Sequence, residues 1–554
     1  MRGKLLGVVA LLSGCAGPVA VRPPVAAAPA PIEVQILALN DFHGNLETPA
    51  AFDLTGTDGV VRKVTSGGAA PLAAALASRR TANTITVAAG DLIGASPFTS
   101  AAFLDEPTIA AMNLLGLDLN AVGNHEFDKG VRELWRMQAG GCAAFTTRKP
   151  CALEPFTGAK FRFLAANVRN AEGVPIFSPT AIRQFGPVRV GFIGMTLKDT
   201  DRLVTPSGVA GLRFDDEVAT ANALVPELRA QGADTIVLLI HQGGRTPAFT
   251  DGQGCEGLSG AILPIVDKLD PAISTVVSGH SHYAYVCQRG ERMLTSAGKY
   301  GYLFSDLRLT FDSASRRLIA QRASNILTGT GPGTPAIEAL VARYVAAAAP
   351  EANRVVGTLA GPAARDEKDG ESPVANLIAD ALNAAARSPA KGGAQFALVN
   401  GTGVRVTLTP AADGSITYGQ LFSVMPFGNG VVTKLLTGAQ VKALLEQQFR
   451  APSYPADHRP ALLVPSARLG FDYDLSRPVG SRVTAIRLDG RPLAPTAAYR
   501  VATNNYLASG GDGYSVFAEP RDGVDAGMDI DAMVAWIAKG QRVPATGRTR
   551  NLTR

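Results

Sequence analysis

The chain holds six histidines in 554 residues, and five of them fall in short polar segments that each follow an apolar run. The runs cover residues 34–39, 84–88, 119–122, 188–193, 235–240 and 275–277. They are short, rich in branched residues and without polar alternation, as in strands of a sheet covered on both faces. Between them lie helical patterns at 70–79, 107–115 and 217–231. Alternation of this kind predicts an α/β architecture, in which ligands gather where strands end. The polar segments are Asn40-Asp41-Phe42-His43-Gly44-Asn45, Gly90-Asp91, Gly123-Asn124-His125-Glu126-Phe127-Asp128, His241, and Gly279-His280-Ser281-His282. A strand-end arrangement brings all five together although they span more than 240 positions. The sixth histidine, His458, stands in a Pro-flanked polar stretch and reads as a solvated loop residue.

Carboxylate and imidazole at these points are the hard and borderline donors that divalent cations take. Asp41 and His43 are two apart, so on extended backbone their side chains leave from one side, and His280 and His282 repeat the spacing. Asp91 is placed to bridge two cations. Glu126 reads as a local structural acid, not a ligand.

A second α/β pattern follows. A Gly/Pro break at 331–334 leads into a helical stretch at 335–348, and helix-like segments recur at 374–387 and 437–449. The expected domains are residues 32–330, a linker helix in 331–354, and residues 355–554. In the last, the apolar run 396–399 feeds the Gly-rich turn Asn400-Gly401-Thr402-Gly403-Val404-Arg405, which delivers a guanidinium suited to paired hydrogen bonds with phosphate. Phe427 and Tyr506 sit in tight turns, the latter just before Gly510-Gly511-Asp512-Gly513, where exposed rings could stack a nucleobase.

The motifs DxH, GD, GNHE and GHxH, in this order, resemble the metallophosphoesterase family, and the C-terminal features narrow the resemblance to the bacterial 5′-nucleotidase branch over nearly the whole mature chain. The resemblance implies a four-layer α/β/β/α sandwich, a linker helix and a second α/β domain that binds the nucleotide. It implies one cation on Asp41, His43, Asp91 and His282 and another on Asp91, Asn124, His241 and His280, with Zn, Mn, Co or similar as the metals. His125 would stabilise the phosphoryl group, oriented by Asp128, while a water acidified by the cations attacks phosphorus in line. Arg405 and, more loosely, Arg365 and Lys368 would hold the phosphate. Phe427 and Tyr506 would stack the base, with Asp512 on the ribose and Asn400 beside it. Three positions depart from relatives: His282 stands where some have glutamine, Thr402 where the glycine triplet is usual, and Ala375 where many have glycine.

The implied activity is release of phosphate from 5′-nucleoside monophosphates. The same metal centre would also serve a 2′,3′-cyclic-nucleotide phosphodiesterase or a nucleotide-sugar or dinucleotide pyrophosphatase. The reading from another class is a catalytically silent nucleotide-binding lipoprotein, disfavoured because every expected ligand is present. The expected partner is a small nucleotide, bound by a monomer. A net charge of +6 without any Lys/Arg block does not indicate a nucleic-acid-coating surface.

The first residues read as an address. Arg2 and Lys4 precede the apolar run 5–12, too short to cross a bilayer, and Leu12-Ser13-Gly14-Cys15 resembles a bacterial lipobox. Cleavage after residue 14 and acylation of Cys15 would leave an Ala/Pro-rich tether over 15–31 and place the protein at the periplasmic face of the outer membrane, a soluble periplasmic form being the alternative. Export agrees with the four remaining cysteines, which pair most simply in sequence, Cys142 with Cys151 and Cys255 with Cys287, out of three possible connectivities.

Overall fold

A computed structural model describes residues 30–56, 58–250, 254–365, 371–450, 462–519 and 522–553. Cys15, most of the tether, Lys368 and His458 lie outside the described residues. Among those described, no helix is long and apolar enough to cross a membrane.

The N-terminal half is built on two six-stranded sheets. The first runs in the order Leu318–Leu327, Leu303–Phe311, Ile32–Leu39, Thr84–Ala88, Leu119–Ala121, Arg162–Leu164. The second runs Ala284–Arg289, Arg292–Ala297, Ile273–Ser278, Thr235–His241, Val188–Thr196, Thr180–Phe185. Their inner faces meet in one apolar cluster, Val34, Ile36, Val87 and Leu119 against Val190, Phe192, Val237 and Leu239. Helices Ala69–Arg79 and Glu106–Leu115 bury Leu72, Leu76, Ile109 and Met112 on the outer face of the first sheet, and Glu217–Ala230 buries Ala221, Val225 and Leu228 on that of the second. The layers are therefore helix, sheet, sheet, helix.

The six predicted strands are present, with ends shifted by a few residues. The sheets are mixed, however, because Leu303–Phe311 is antiparallel to Ile32–Leu39 and Thr180–Phe185 is antiparallel to Val188–Thr196. Where the strand ends converge, the two sheets are tied together: Thr196 Oγ1 donates to the Val122 carbonyl at 2.7 Å and Asn167 Nδ2 to the Thr196 carbonyl at 2.6 Å. Gly194 crosses so near Leu164 that a Cβ there would collide with its side chain and carbonyl.

The connecting helix, Pro335–Ala352, runs four residues past the apolar stretch that predicts it and packs Ile337, Leu340 and Tyr344 into the core. Beyond it, a five-stranded sheet in the order Leu463–Pro465, Phe396–Asn400, Ala498–Asn504, Gly430–Thr437, Val524–Met528 carries helices Pro373–Ala386 and Asp529–Ile537 on one face and Gly438–Gln447 on the other. Thr417 and Thr437 open their helices with reciprocal capping boxes to Gln420 and Gln440.

Candidate metal centre and substrate cleft

The strand-end loops converge as two clusters, Asp41 with His43 and His282, and Asp91 with His241 and His280, each with its donor atoms within 4.8 Å of one another. Asp91 joins them. Its Oδ2 lies 3.0 Å from His241 Nε2 and 3.6 Å from His43 Nε2. Asn124 Oδ1 completes the second cluster, 3.1 Å from His241 Nε2 and 3.0 Å from His280 Nδ1. Asp41, His43, Asp91 and His241 are at most 1% exposed.

The hydrogen bonds on the far side of the rings reveal what the near side wants. His43 Nδ1–H donates to the Gly94 carbonyl and His241 Nδ1–H to the Ala89 carbonyl, both at 2.8 Å. In the neutral rings each Nε2 therefore carries a lone pair. That of His43 faces His282 Nε2 at 3.1 Å, and that of His241 faces two oxygen acceptors. At His241 an acceptor aimed at acceptors needs a proton or a cation between them, and the carboxylate and imidazole atoms gathered around His43 Nε2 make a second such set, so the donors fit a pair of divalent cations.

Electrostatics agree. Burial, with the Asp91 charge added, pushes Asp41 up to about 7. Burial would lower His241, yet Asp91 and Asp41 lift it to about 9. Burial and the neighbouring His241 push His280 down to about 3. Five of these residues also hold left-handed backbone, with φ from 47° at His43 to 70° at His280, a conformation that non-glycine residues keep only where surroundings impose it. Glu126 supplies part of that imposition. Its carboxylate accepts from the backbone N–H groups of Asp91, Leu92 and Gly123 at 2.8–2.9 Å, a structural role outside the donor set.

His125 stands beside the clusters. Its backbone N–H donates to Asp91 Oδ1 at 2.9 Å, and its Nδ1 pairs with Asp128 Oδ2 at 2.8 Å. Burial opposes its protonation, but Asp128 and Asp91 outweigh it and raise the imidazole above its ordinary value.

The C-terminal half meets this centre across a cleft lined by Asn124, His125 and His280 on one side and by Arg405, Phe427 and Tyr506 on the other. Arg405 Nη2 lies 3.3 Å from His43 Nε2, and the Phe427 ring stacks over His125 with centroids 5.8 Å apart and planes at 18°. Arg365 Nη1 donates to the Arg405 carbonyl at 3.0 Å, bracing the arginine's backbone. The Tyr506 hydroxyl lies 2.6 Å from Asp512 Oδ1 and 2.9 Å from the Arg202 carbonyl of the other half. Asp512 Oδ2 takes Asn400 Nδ2 at 3.0 Å and Thr402 Oγ1 at 3.4 Å. Thr402, in place of glycine, thus adds a donor to this acid. Both rings are half-buried, whereas the turn residues around them predict exposure.

Sequence reasoning missed several neighbours. Tyr300 sets its ring 5.9 Å from both His43 and His282. Leu203, Thr205, Asn429 and Asp529 line the cleft. Only the glycines flanking Lys299-Tyr300 hinted at any of these.

Two sheets whose strand ends gather paired acid–imidazole clusters around one shared aspartate define a dinuclear metal-binding scaffold. Comparisons carry this further. Residues 34–284 match the calcineurin-like phosphoesterase family and residues 352–519 the 5′-nucleotidase C-terminal domain. The cell wall protein Lmo0130 of Listeria monocytogenes is 30% identical over 91% of this chain and 67% of its own length. Endonuclease YhcR of Bacillus subtilis is 28% identical over 91% of this chain, which spans only 40% of that protein. The crystal structure of a 5′-nucleotidase precursor from Thermus thermophilus superposes with a TM-score of 0.75 at 27% identity, covering 94% of this chain and 99% of that one. The chain belongs to the 5′-nucleotidase family, with its calcineurin-like phosphoesterase and 5′-nucleotidase C-terminal domains in that order.

Proposed function

We propose that the protein is an exported hydrolase that converts 5′-nucleoside monophosphates to nucleoside and phosphate. The observation that carries the reading is that Asp91 joins two cation cradles while Arg405 and Phe427, from the other half, reach the same point. Asp41, His43, Asp91 and His282 would hold one cation, and Asp91, Asn124, His241 and His280 the other. When bound, the pair supplies charge neutralisation at the phosphoryl oxygens and an activated water nucleophile.

The chain's own groups do the rest. Arg405 binds phosphate oxygens, and the bond from Arg365 keeps its backbone in register. Asp128 fixes the His125 ring through Nδ1, leaving Nε2 to donate a proton-bearing edge to the phosphoryl group as negative charge grows there. Phe427 and Tyr506 stack the base, and Asp512 takes the sugar. Residues 32–330 and 355–554 act as two bodies joined by the helix within 331–354, whose rotation would part Phe427 from His125 and admit the base. The two disulfides and the cell-wall location of the Listeria relative support export, with Cys15 as a lipid anchor at the outer membrane.

The test is phosphate release from AMP, UDP-glucose and 2′,3′-cyclic AMP by purified protein, before and after chelation and with manganese, cobalt or zinc restored. AMP is expected to be cleaved, and only with metal present. His125→Ala is expected to lower turnover by about 100- to 1000-fold with full metal content. A parallel loss of metal would make His125 a ligand and overturn its assignment.

A further inference from the structure

We infer that Arg148 is a positioning residue for this reaction, held at an interdomain joint by the disulfide-closed loop that carries it. The inference rests on the function proposed above and adds to it a part of the protein outside the donor set of the metal centre.

Arg148 lies in the loop closed by Cys142 and Cys151. Its guanidinium carbon sits 5.9 Å from the Phe98 ring and 5.8 Å from the Phe422 ring, within cation–π reach of both. Those rings meet edge to face at 5.3 Å, and Phe98 meets Tyr418 at the same distance. Phe98 belongs to the N-terminal half, in helix Phe98–Ala101, whereas Tyr418 and Phe422 belong to helix Tyr418–Val424 of the C-terminal half. One cation therefore caps an aromatic joint between the two. Arg354 also lies over Tyr418, at 5.1 Å, from the chain just past the connecting helix.

The loop is anchored on both sides. The Cys151 N–H donates to Glu106 Oε1 at 2.9 Å, and Glu106 is held by the buried Arg136, which also donates to the Gly141 carbonyl at 2.9 Å. Thr146 Oγ1 accepts from the Arg148 N–H at 3.2 Å. Just past the loop, Glu154 takes Arg343 at 2.9 Å and the Tyr344 hydroxyl at 3.2 Å, both from the connecting helix.

What the joint holds is the element that presents the substrate groups. Helix Tyr418–Val424 ends at Val424, whose carbonyl accepts the Arg405 N–H at 2.9 Å, and the chain runs directly on through Met425 and Pro426 to Phe427. A displacement of Phe422 from Phe98 is transmitted to Arg405 and Phe427 together. Arg148 thus acts on the phosphate and base sites through this helix, without touching either.

The experiment compares wild type with Arg148→Ala, Arg148→Lys and the double variant Cys142→Ser/Cys151→Ser. Each is measured for KM and kcat on AMP, for metal content, and for radius of gyration by small-angle X-ray scattering. Arg148→Ala is expected to raise KM about five- to tenfold with metal content intact and a larger radius of gyration. Lysine, which keeps a cation at the joint, should restore most of the affinity, and the double cysteine variant should move in the same direction as alanine. Unchanged KM and scattering in folded Arg148→Ala overturn the inference, as does a rise in KM that lysine fails to relieve. Should wild type not cleave AMP at all, the proposed function falls, and the scattering comparison alone decides the joint. Should the cysteine variant not fold, the two arginine variants decide.

Discussion

Asp529 opens helix Asp529–Ile537 with its carboxyl 2% exposed, lining the same cleft as Phe427 and Asn429. Burial pushes it up to about 7 from an ordinary 3.8, against the N–H donated by Ile530 at 2.7 Å. The unfolded chain would release this proton near pH 4, and the folded chain keeps it to about pH 7. The acid therefore favours folding most at low pH, and that contribution is lost as pH rises through the folded value. Asp529→Asn should be the more stable form at pH 8 by roughly 2 to 4 kcal/mol, with the gap closing toward pH 4. Urea melts of both proteins at the two pH values check it. Nothing in the sequence marked this acid, because its significance comes from what surrounds it. The metal-cradle residues were legible for the opposite reason: Asp, His and Asn clustered at fixed short spacings advertise chemistry before any contact is known. Arg148 and Tyr300 are ordinary in sequence and acquire a role only from partners far along the chain.

Strand Val188–Thr196 shows what an element must do to bring the loops together. It passes Leu164 at Gly194 with no room for a methyl group, so the close approach of the two sheets depends on that glycine. Gly194→Ala should lower the melting temperature, with a cost of about 1–3 kcal/mol from overpacking, and weaken metal retention, since Thr196 lies two residues on at the tie between sheets. Thermal melts and metal analysis of the variant test both. Strands such as Thr235–His241, buried at every residue, were read from sequence because both faces select apolar side chains. Leu318–Leu327 was not, because it is an edge strand in which only Asn325 is fully buried. Its inward positions are Gln321, Ala323 and Asn325, so the alternation of burial is not written as an apolar period. The connecting helix was visible, but its end was not: Pro350 sits in its last turn, where an interior proline ordinarily argues against continuation.

At the level of the whole molecule, the halves touch in the cleft through Arg405 on His43, Phe427 on His125 and Tyr506 on Arg202, among other contacts. The two halves were legible separately in the sequence, one by its Asp/His/Asn spacings and the other by its Gly-rich turns. The sequence did not reveal which surfaces would meet, since such contacts carry no periodicity and no motif. The network around Asp512 has a bearing on which sugars are tolerated. Both of its oxygens already accept hydrogen bonds, from Tyr506 on one side and Asn400 and Thr402 on the other, so the carboxylate is largely satisfied and a further bond from a 2′-hydroxyl adds little. Deoxyribonucleotides should accordingly be cleaved almost as well as ribonucleotides, with kcat/KM for dAMP within about fivefold of that for AMP. Side-by-side kinetics on the two would measure it, and a far larger preference for AMP would mean that the acid lets go of its present partners to grip the ribose.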